Sequence, residues 1–237
     1  GDEDSDSEDD VDLDPVLENV SVPHYGGINR IRGMPQRSNI VAAWSDQGQV
    51  NLFNVSTWTE RFSGHSKGAS ADRQYEKPIF SYKGHNGVEG YAMDWSPMTT
   101  GDLATGDCDG NIHVWQPDHE SIKDSTSPVF HVTPSYESET SVEDLQWSPT
   151  ESTVLAAATC GGFVRIYDTR APHRAMLTHQ IHKRSKADVN VMSWNHLVAN
   201  LMATGGDDGL LSVWDLRNSF KEPLARFTSH KTPITSV

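Results

Sequence analysis

The sequence predicts an all-β fold in which similar four-stranded sheets follow one another as the blades of a propeller. Three tryptophans, Trp95, Trp147 and Trp194, each precede a glycine by 15 residues. Each of these glycines opens a run of alternating aliphatic residues that ends in an aromatic one, and an upstream copy begins at Gly48; the four read GQVNLFN, GNIHVWQ, GFVRIYD and GLLSVWD. The steps between glycines are 62, 52 and 47 residues. These steps suit a propeller blade of roughly 40 to 45 residues with loop insertions.

Alternating apolar and polar residues between turn residues predict four strands in each copy. The first blade, residues 24–82, has predicted strands at 28–32, 40–44, 50–54 and 79–82. The second, 84–132, has them at 91–95, 103–106, 111–116 and 129–132. The third, 141–181, has them at 142–147, 154–159, 163–168 and 175–180. The fourth, 182–229, has them at 189–194, 201–205, 210–215 and 224–227.

Three further segments complete the organisation of the chain. Residues 16–22 are apolar enough for one more strand, and residues 56–77 predict a polar surface insertion. Residues 230–237 match the start of a next blade. Because a closed ring protects strand edges and seven blades need roughly 280 to 315 residues, we expect residues 15–237 to be part of a longer propeller.

The net charge of −14 is concentrated at one end of the sequence. Nine of the 33 acidic residues, and no basic one, lie in residues 1–14. Such a segment cannot bury enough apolar surface to order itself, so we expect a disordered acidic tail. Two interpretations are open: the tail keeps the protein in solution, or its charge attracts a basic protein such as a histone or a ribosomal protein. The same charge disfavours direct binding of nucleic acid, and no apolar run of about 18 residues predicts a membrane span.

The sequence contains no motif that predicts catalysis, a cofactor site or a metal site. The segment Asp107-Cys108-Asp109-Gly110-Asn111 lacks the acidic alternation of a calcium loop. His179 and His182 have a spacing that suits zinc, but no second ligand pair accompanies them. We therefore expect a protein that is not an enzyme and holds no cofactor.

The loops that lead into the first strand of each blade, and those between the second and third strands, share one rim of a propeller. They predict an acidic surface with one aromatic residue, suited to a partner segment that bears arginine or lysine; the alternative is an ordinary solvated face. The predicted partner-binding rim consists of Asp46, Glu89, Tyr91, Asp107, Glu143, Asp188, Asn190 and Asp207.

The second and fourth copies resemble the WD-repeat family. Gly84-His85 and Trp214-Asp215-Leu216 match the family's two signature dipeptides. The resemblance implies a buried structural network of histidine, threonine, aspartate and tryptophan, whose polar groups satisfy one another. Carried over residue by residue, this network is His85, Thr105, Asp109 and Trp115 in the second blade, and His182, Thr204, Asp208 and Trp214 in the fourth.

The other two copies depart from this pattern. The third has Ala157, Gly161 and Tyr167 where the network has threonine, aspartate and tryptophan, so we expect that blade to be held by apolar packing alone. The first has Gly33 where the recurring tryptophan belongs and Phe53 in place of the second aromatic residue.

Longer strings resemble the glutamate-rich WD-repeat proteins, which act in ribosome assembly. They include PHYGGINRIR from residue 23, VAAWSDQGQVNLF from residue 41 and GGDDGLLSVWDLR from residue 205. The resemblance implies a nuclear or nucleolar chaperone that binds a basic ribosomal protein. Histone-binding chromatin assembly factors are similar around residues 29–36 and give an alternative. A third reading is a substrate adaptor on a ubiquitin-ligase scaffold, because Asp168-Thr169-Arg170 and Asp215-Leu216-Arg217 fit the Asp-x-Arg ending used for such docking in the family.

Overall fold

A computed structural model describes residues 21–56, 77–118, 120–121, 128–133, 136–171, 173–183 and 185–237. They form four antiparallel sheets that follow one another along the chain. The first blade contains β1 (Ile28–Met34), β2 (Arg37–Ser45), β3 (Val50–Asn54) and β4 (Phe80–Tyr82). The second contains β5 (Gly90–Trp95), β6 (Leu103–Asp107), β7 (Asn111–Pro117) and β8 (Phe130–Val132), with the two-residue β9 (Tyr136–Glu137) also paired to β7.

The last two blades repeat the plan. The third contains β10 (Val142–Trp147), β11 (Val154–Thr159), β12 (Phe163–Asp168) and β13 (Leu177–Gln180). The fourth contains β14 (Val189–Trp194), β15 (Leu201–Gly206), β16 (Leu211–Asp215) and β17 (Ala225–Phe227), with a short 3-10 helix, Leu216–Asn218, between the last two strands. In every sheet the first four strands pair in chain order.

The predicted all-β propeller fold is confirmed. Each strand predicted for the four copies overlaps an observed one, and the strands at 50–54, 142–147, 154–159, 163–168 and 189–194 have the predicted bounds. Strand β9 was not predicted. The predicted strand at 16–22 and the predicted insertion at 56–77 lie almost entirely outside the described residues. No helix in the described part of the chain is long and apolar enough to span a membrane.

The first strands of the four blades stand side by side: β5 packs between β1 and β10, and β10 packs against β14. Side-chain oxygens on one first strand accept hydrogen bonds from main-chain amides of the next. Asp94 Oδ2 accepts from the Trp147 N–H at 2.8 Å and Asp144 Oδ2 from the Met192 N–H at 3.0 Å. Gln146 Oε1 accepts from the Trp194 N–H at 2.7 Å. We call these three contacts the inter-blade ladder.

The core lies between the blades as three separate apolar clusters. Each recurring tryptophan packs back against the preceding blade: Trp95 with the first, Trp147 with the second and Trp194 with the third. In the first copy Gly33 takes the place of the tryptophan. Gly33 pairs with Val41 on β2, and Ile31 on the same face of β1 is 52% exposed in the described part of the chain.

The glycines that define the repeat lie in turns where their backbone has a positive φ angle, a conformation that is strained for other residues. Gly48, Gly110 and Gly209 have φ angles of +68°, +88° and +71° between the second and third strands of their blades. A Cβ at Gly110 would lie 2.8 Å from the main-chain oxygen of Thr140, in the segment leading to the next blade. The turn therefore needs glycine both for its backbone conformation and for close packing.

Candidate functional site

The second blade holds a complete buried network. His85 Nδ1 lies 2.7 Å from Asp107 Oδ2, and His85 Nε2 lies 2.8 Å from Thr105 Oγ1. Thr105 Oγ1 also accepts from Trp115 Nε1 at 3.1 Å. A neutral histidine that donates to the aspartate and accepts from the threonine satisfies all of these groups. Every polar atom in this chain of contacts is therefore paired.

The network aspartate is Asp107, and the prediction of Asp109 for this role was wrong. Asp107 is the last residue of β6 and fully buried, whereas Asp109 lies exposed in the following turn. Asp107 Oδ1 also accepts from the N–H groups of Asp109 and Asn111 at 3.1 and 2.8 Å, which fixes the turn. Burial opposes ionisation of Asp107, but hydrogen bonds from His85 and Asn111 outweigh it and hold the pKa of Asp107 below its ordinary value.

Two further side chains extend this network and were not predicted. The His113 ring stacks on His85 with centroids 4.2 Å apart, and the Tyr82 hydroxyl lies 2.8 Å from His113 Nδ1. Burial, and then the neighbouring His85, lower the pKa of His113 to about 4. His113 is therefore neutral at neutral pH and accepts a hydrogen bond from Tyr82. The Tyr82 ring fills the space where a Cβ of Gly84 would stand, which explains the glycine before His85.

The fourth blade has the same residue types but fewer contacts. His182 Nδ1 lies 3.0 Å from Asp208 Oδ2, and Trp214 Nε1 donates to Thr204 Oγ1 at 2.9 Å. His182 Nε2, which would complete the link to Thr204, has no hydrogen-bond partner among the described residues. The network is thus divided into two pairs.

Among its described residues, the third blade has no comparable network. Tyr167 replaces the tryptophan and is fully buried; its hydroxyl has no hydrogen-bond partner within the described residues. Burial raises the pKa of Tyr167 to about 12. Tyr136 of β9 packs edge-on against this ring at 5.7 Å and donates its hydroxyl to the Thr169 main-chain oxygen. As expected, apolar packing dominates, with Leu145 and Val164 both buried.

One predicted rim residue is not available to a partner. Asp107 is 0% exposed and belongs to the buried network. The other seven, which we call the acidic rim, are at least partly accessible: Asp46, Glu89, Tyr91, Glu143, Asp188, Asn190 and Asp207.

Hydrogen bonds hold the carboxylates of the acidic rim, and two of these bonds join adjacent blades. Asn29 of the first blade donates to Glu89 Oε2 at 3.3 Å. The Cys160 thiol donates to Glu143 Oε1 at 3.2 Å, and the Gly161 N–H donates to Asp188 Oδ1 at 2.6 Å. At the far end of the acidic rim, Asn190 Nδ2 donates to Asp207 Oδ1 at 2.8 Å, and near the first blade Asp46 Oδ1 accepts from the Gly27 N–H at 3.0 Å. These donors fix the carboxylates in place.

The carboxylates make the acidic rim a region of negative potential. Burial and then the charge of Glu89 raise the pKa of Tyr91, which is 36% exposed. Burial and then Glu143 raise the pKa of the Cys160 thiol, so it stays protonated at neutral pH. One cation beside the acidic rim is Arg30, whose Nε donates to the Tyr91 main-chain oxygen at 2.6 Å and whose guanidinium lies 3.9 Å from Asp144. Within the described residues, no cluster of three histidine, cysteine, aspartate or glutamate side chains suits a metal ion.

The two Asp-x-Arg endings have the same conformation. Arg170 folds back on Asp168, with Nη2 2.6 Å from Oδ2 and Nε 3.0 Å from Oδ1. Arg217 contacts Asp215 with corresponding distances of 2.6 and 2.9 Å. Both arginine side chains remain at least 70% exposed.

Comparison with protein families defines the class of protein. Residues 76–116 and 176–215 match the model of the WD domain, G-beta repeat. The matched segments end at the turn and third strand of the second and fourth blades, where the network tryptophans lie. Together with the propeller sheets, this match shows that the chain contains WD repeats.

Three curated proteins are similar to this chain in sequence. Glutamate-rich WD repeat-containing protein 1 of Dictyostelium discoideum is 40% identical over 171 residues, which cover 69% of this chain and 32% of that protein. Ribosome assembly protein rrb1 of Schizosaccharomyces pombe is 35% identical over 249 residues, which cover all of this chain and 49% of that protein. Histone acetyltransferase type B subunit 2 of Candida glabrata is 24% identical over 97% of this chain and 49% of its own length. The predicted resemblance to the glutamate-rich WD-repeat proteins is confirmed, and the chain spans a third to a half of these relatives.

Proposed function

We propose that this chain is a scaffold and chaperone in ribosome assembly, in the nucleus and nucleolus, which binds a basic protein client along the acidic rim and catalyses no reaction. The observation that carries the proposal is the row of fixed carboxylates beside the accessible Tyr91 ring. The names of the glutamate-rich and ribosome assembly relatives support the biological setting. The acidic tail at residues 1–14, outside the described residues, adds charge of the same sign.

The acidic rim favours arginine side chains in particular. A guanidinium group offers paired N–H donors that match a carboxylate, and its flat face stacks on an aromatic ring. Tyr91 lies close enough to Glu89 and Glu143 for both charges to raise its pKa. One arginine can therefore contact the Tyr91 ring and a carboxylate together. Because the carboxylates are already oriented by their own donors, little side-chain freedom is lost on binding.

Peptide binding tests this site. We expect an arginine-rich peptide to bind the full chain more tightly than a lysine-rich peptide of equal charge, with affinity that falls as salt rises. The double variant Glu89→Gln/Glu143→Gln should bind about tenfold more weakly, a loss of about 1.4 kcal/mol. Glu151→Gln is the matched control, since Glu151 lies in the β10–β11 turn at the opposite end of its blade from the acidic rim. Equal affinities for the double variant and the wild-type chain would refute the site.

The identity of the client needs a cellular experiment. Affinity purification with the full chain should recover ribosomal or pre-ribosomal proteins in a salt-sensitive manner, and less of them with the double variant. Histones are the second candidate, favoured by the match to a histone acetyltransferase subunit over 97% of this chain. Competition between a purified histone tail and the recovered ribosomal protein would rank the two. Recovery of neither class would exclude a basic client.

An adaptor function on a ubiquitin-ligase scaffold rests on a different surface. The identical conformations of Arg170 and Arg217 present two exposed guanidinium groups, each held by its own aspartate. The variants Arg170→Glu and Arg217→Glu should abolish association with a ligase scaffold if these residues form the docking site. Unchanged association in both variants would remove this candidate.

A further inference from the structure

The space between the third and fourth blades differs from the other two spaces between blades. Between the first and second, Tyr82 and His113 contact each other and His85. Between the second and third, the Tyr136 ring packs on Tyr167. Between the third and fourth lies an open cleft of about 420 Å³. We call it the side cleft; its walls include His179, His182, Leu210, Trp214, Phe220 and Arg226.

The second and fourth blades differ in sequence at one position beside this space. Ser212 follows Gly209 by three residues, as His113 follows Gly110. It lies between Leu210 and Trp214 on the same face of β16, because side chains alternate along a strand. A serine side chain cannot stack on His182 as His113 stacks on His85. Ser212 itself is 1% exposed and is not one of the wall residues of the side cleft.

Two buried polar atoms beside the side cleft have no hydrogen-bond partner among the described residues. They are Nε2 of the wall residue His182 and Oγ of Ser212, on residues that are 3% and 1% exposed. In the neutral tautomer of His182 whose Nδ1–H donates to Asp208, Nε2 is a hydrogen-bond acceptor. A ligand group that satisfies this form of His182 is an N–H or O–H donor. Unpaired buried groups of this kind favour a binding partner that supplies the missing bond.

The edges of the side cleft carry positive charge, unlike the chain as a whole. Lys183, Lys221 and Arg226 line it, against Asp208 and Glu222. Asp208 accepts hydrogen bonds from His182 and from the Ser185 hydroxyl, and Glu222 lies 3.6 Å from Arg226. Neither Lys183 nor Lys221 has an ion-pair partner in the described part of the chain. With three cationic and two anionic side chains, the wall of the side cleft is net positive on a chain of net charge −14.

We propose that the side cleft binds an extended acidic segment of a partner protein. Its carboxylates pair with Lys183, Lys221 and Arg226, and a main-chain N–H of the segment donates to His182 Nε2. Apolar side chains of the same segment pack against Ile181 and Leu210, the partly exposed apolar residues of the wall. A peptide supplies all three kinds of group together, whereas an inorganic anion supplies none of the N–H donors. The side cleft and the acidic rim therefore select partners of opposite charge and do not compete.

A labelled peptide of alternating glutamate and leucine tests the proposal by fluorescence anisotropy on the full chain. The variant Lys221→Gln/Arg226→Gln should bind it at least tenfold more weakly and should still bind an arginine-rich peptide normally. Ser212→His, which restores the side chain of the second blade, should block binding while circular dichroism shows an intact fold. Lys83→Gln is the matched control, because it removes an exposed charge next to the filled space between the first and second blades.

Specific outcomes would overturn the proposal: no saturable binding to the wild-type chain, an unchanged affinity in the double variant, or an equal loss in Lys83→Gln. A second measurement does not depend on the variants. Burial and the nearby Lys183 lower the pKa of His179. Bound carboxylates should raise it, and nuclear magnetic resonance of the His179 ring with and without peptide would detect the change. A pKa of His179 that does not respond to saturating peptide would also contradict binding at the side cleft.

Discussion

The second and fourth blades contain the same four network residue types and differ in how well those residues are paired. In the second blade the carboxylate comes from Asp107 at the end of β6, and its side chain is 1% exposed. In the fourth blade Gly206 occupies that place, and the carboxylate comes instead from Asp208 in the turn, with its side chain 24% exposed. His182 fills the space where a Cβ of residue 206 would stand, 2.7 Å from that position. The comparison teaches that shared residue types do not guarantee a shared network.

The largest expected difference concerns the two histidines. His85→Ala removes the hydrogen bonds that His85 makes with the buried Asp107 and with Thr105, and should lower the free energy of unfolding by about 4 kcal/mol. His182→Ala removes one contact to a partly exposed carboxylate and should lower it by about 1 kcal/mol. Urea denaturation of the two variants would measure both values. Equal losses would show that the fourth network is as tightly coupled as the second.

The next prediction tests whether Asp107 or Asp109 is the network aspartate of the second blade. Asp107→Asn removes the buried charge that faces His85 and should destabilise the chain by about 3 kcal/mol. Asp109→Asn changes an exposed turn residue and should alter stability by less than about 0.5 kcal/mol. Thermal denaturation of this pair separates the two roles directly. A larger effect at Asp109 would contradict the assignment of Asp107.

One carboxylate of the inter-blade ladder, Asp94, should make the stability of the chain depend on pH. Burial between β5 and β10 raises the pKa of Asp94 to about 7, although a hydrogen bond from Trp147 opposes the change. The folded state therefore binds a proton more tightly than the unfolded chain, so its stability is greatest below about pH 4 and falls up to about pH 7. We expect this group to contribute a fall of about 2 kcal/mol. The corresponding residue of the fourth blade is Ser193, which does not titrate in this range.

Asp94→Asn keeps an acceptor for the Trp147 N–H and removes the proton equilibrium. Its stability, measured by urea denaturation from pH 4 to pH 8, should lack this part of the wild-type pH dependence. The control Asp109→Asn should retain it. An identical pH profile for Asp94→Asn and the wild-type chain would show that Asp94 is already ionised at low pH.

The smallest expected effect concerns the threonines. Thr204→Val leaves only Trp214 Nε1 without its acceptor and should cost about 1 kcal/mol. Thr105→Val disturbs both Trp115 and His85 and should cost about 2 kcal/mol. A double-mutant cycle with the corresponding histidine should give a coupling energy in the second blade and none in the fourth. Coupling between Thr204 and His182 would mean that these side chains do contact each other in solution.

The sequence was sufficient for the fold because its strongest signal repeats. The spacing of Trp95, Trp147 and Trp194 from their glycines fixes the register of the second and third strands, and the alternation of apolar residues supplies the rest. The two-residue β9 carries no such periodicity and was missed.

The sites were harder to predict because they depend on side-chain geometry. Asp107 and Asp109 are both aspartates in one turn, and their distances from Gly110 do not say which one reaches His85. The alignment with Asp208 favoured Asp109, since both directly precede the turn glycine. Only the placement of Asp107 at the end of a strand, with its side chain turned inward, settles the question. The contribution of His113 and Tyr82 left a weaker signal, an aromatic residue two positions before the Gly-His pair.

The contacts between adjacent first strands have a consequence for how such propellers diversify. In each of these contacts the donor is a main-chain N–H of the following blade, at Trp147, Met192 or Trp194. This N–H is present whatever side chain the position carries, so the strand that donates is free to change its sequence. The strand that carries the acceptor must keep a side-chain oxygen at the same position. Sheets joined in this way can therefore be recombined between related chains, provided that each junction preserves its acceptors: Asp94 between β5 and β10, and Asp144 and Gln146 between β10 and β14.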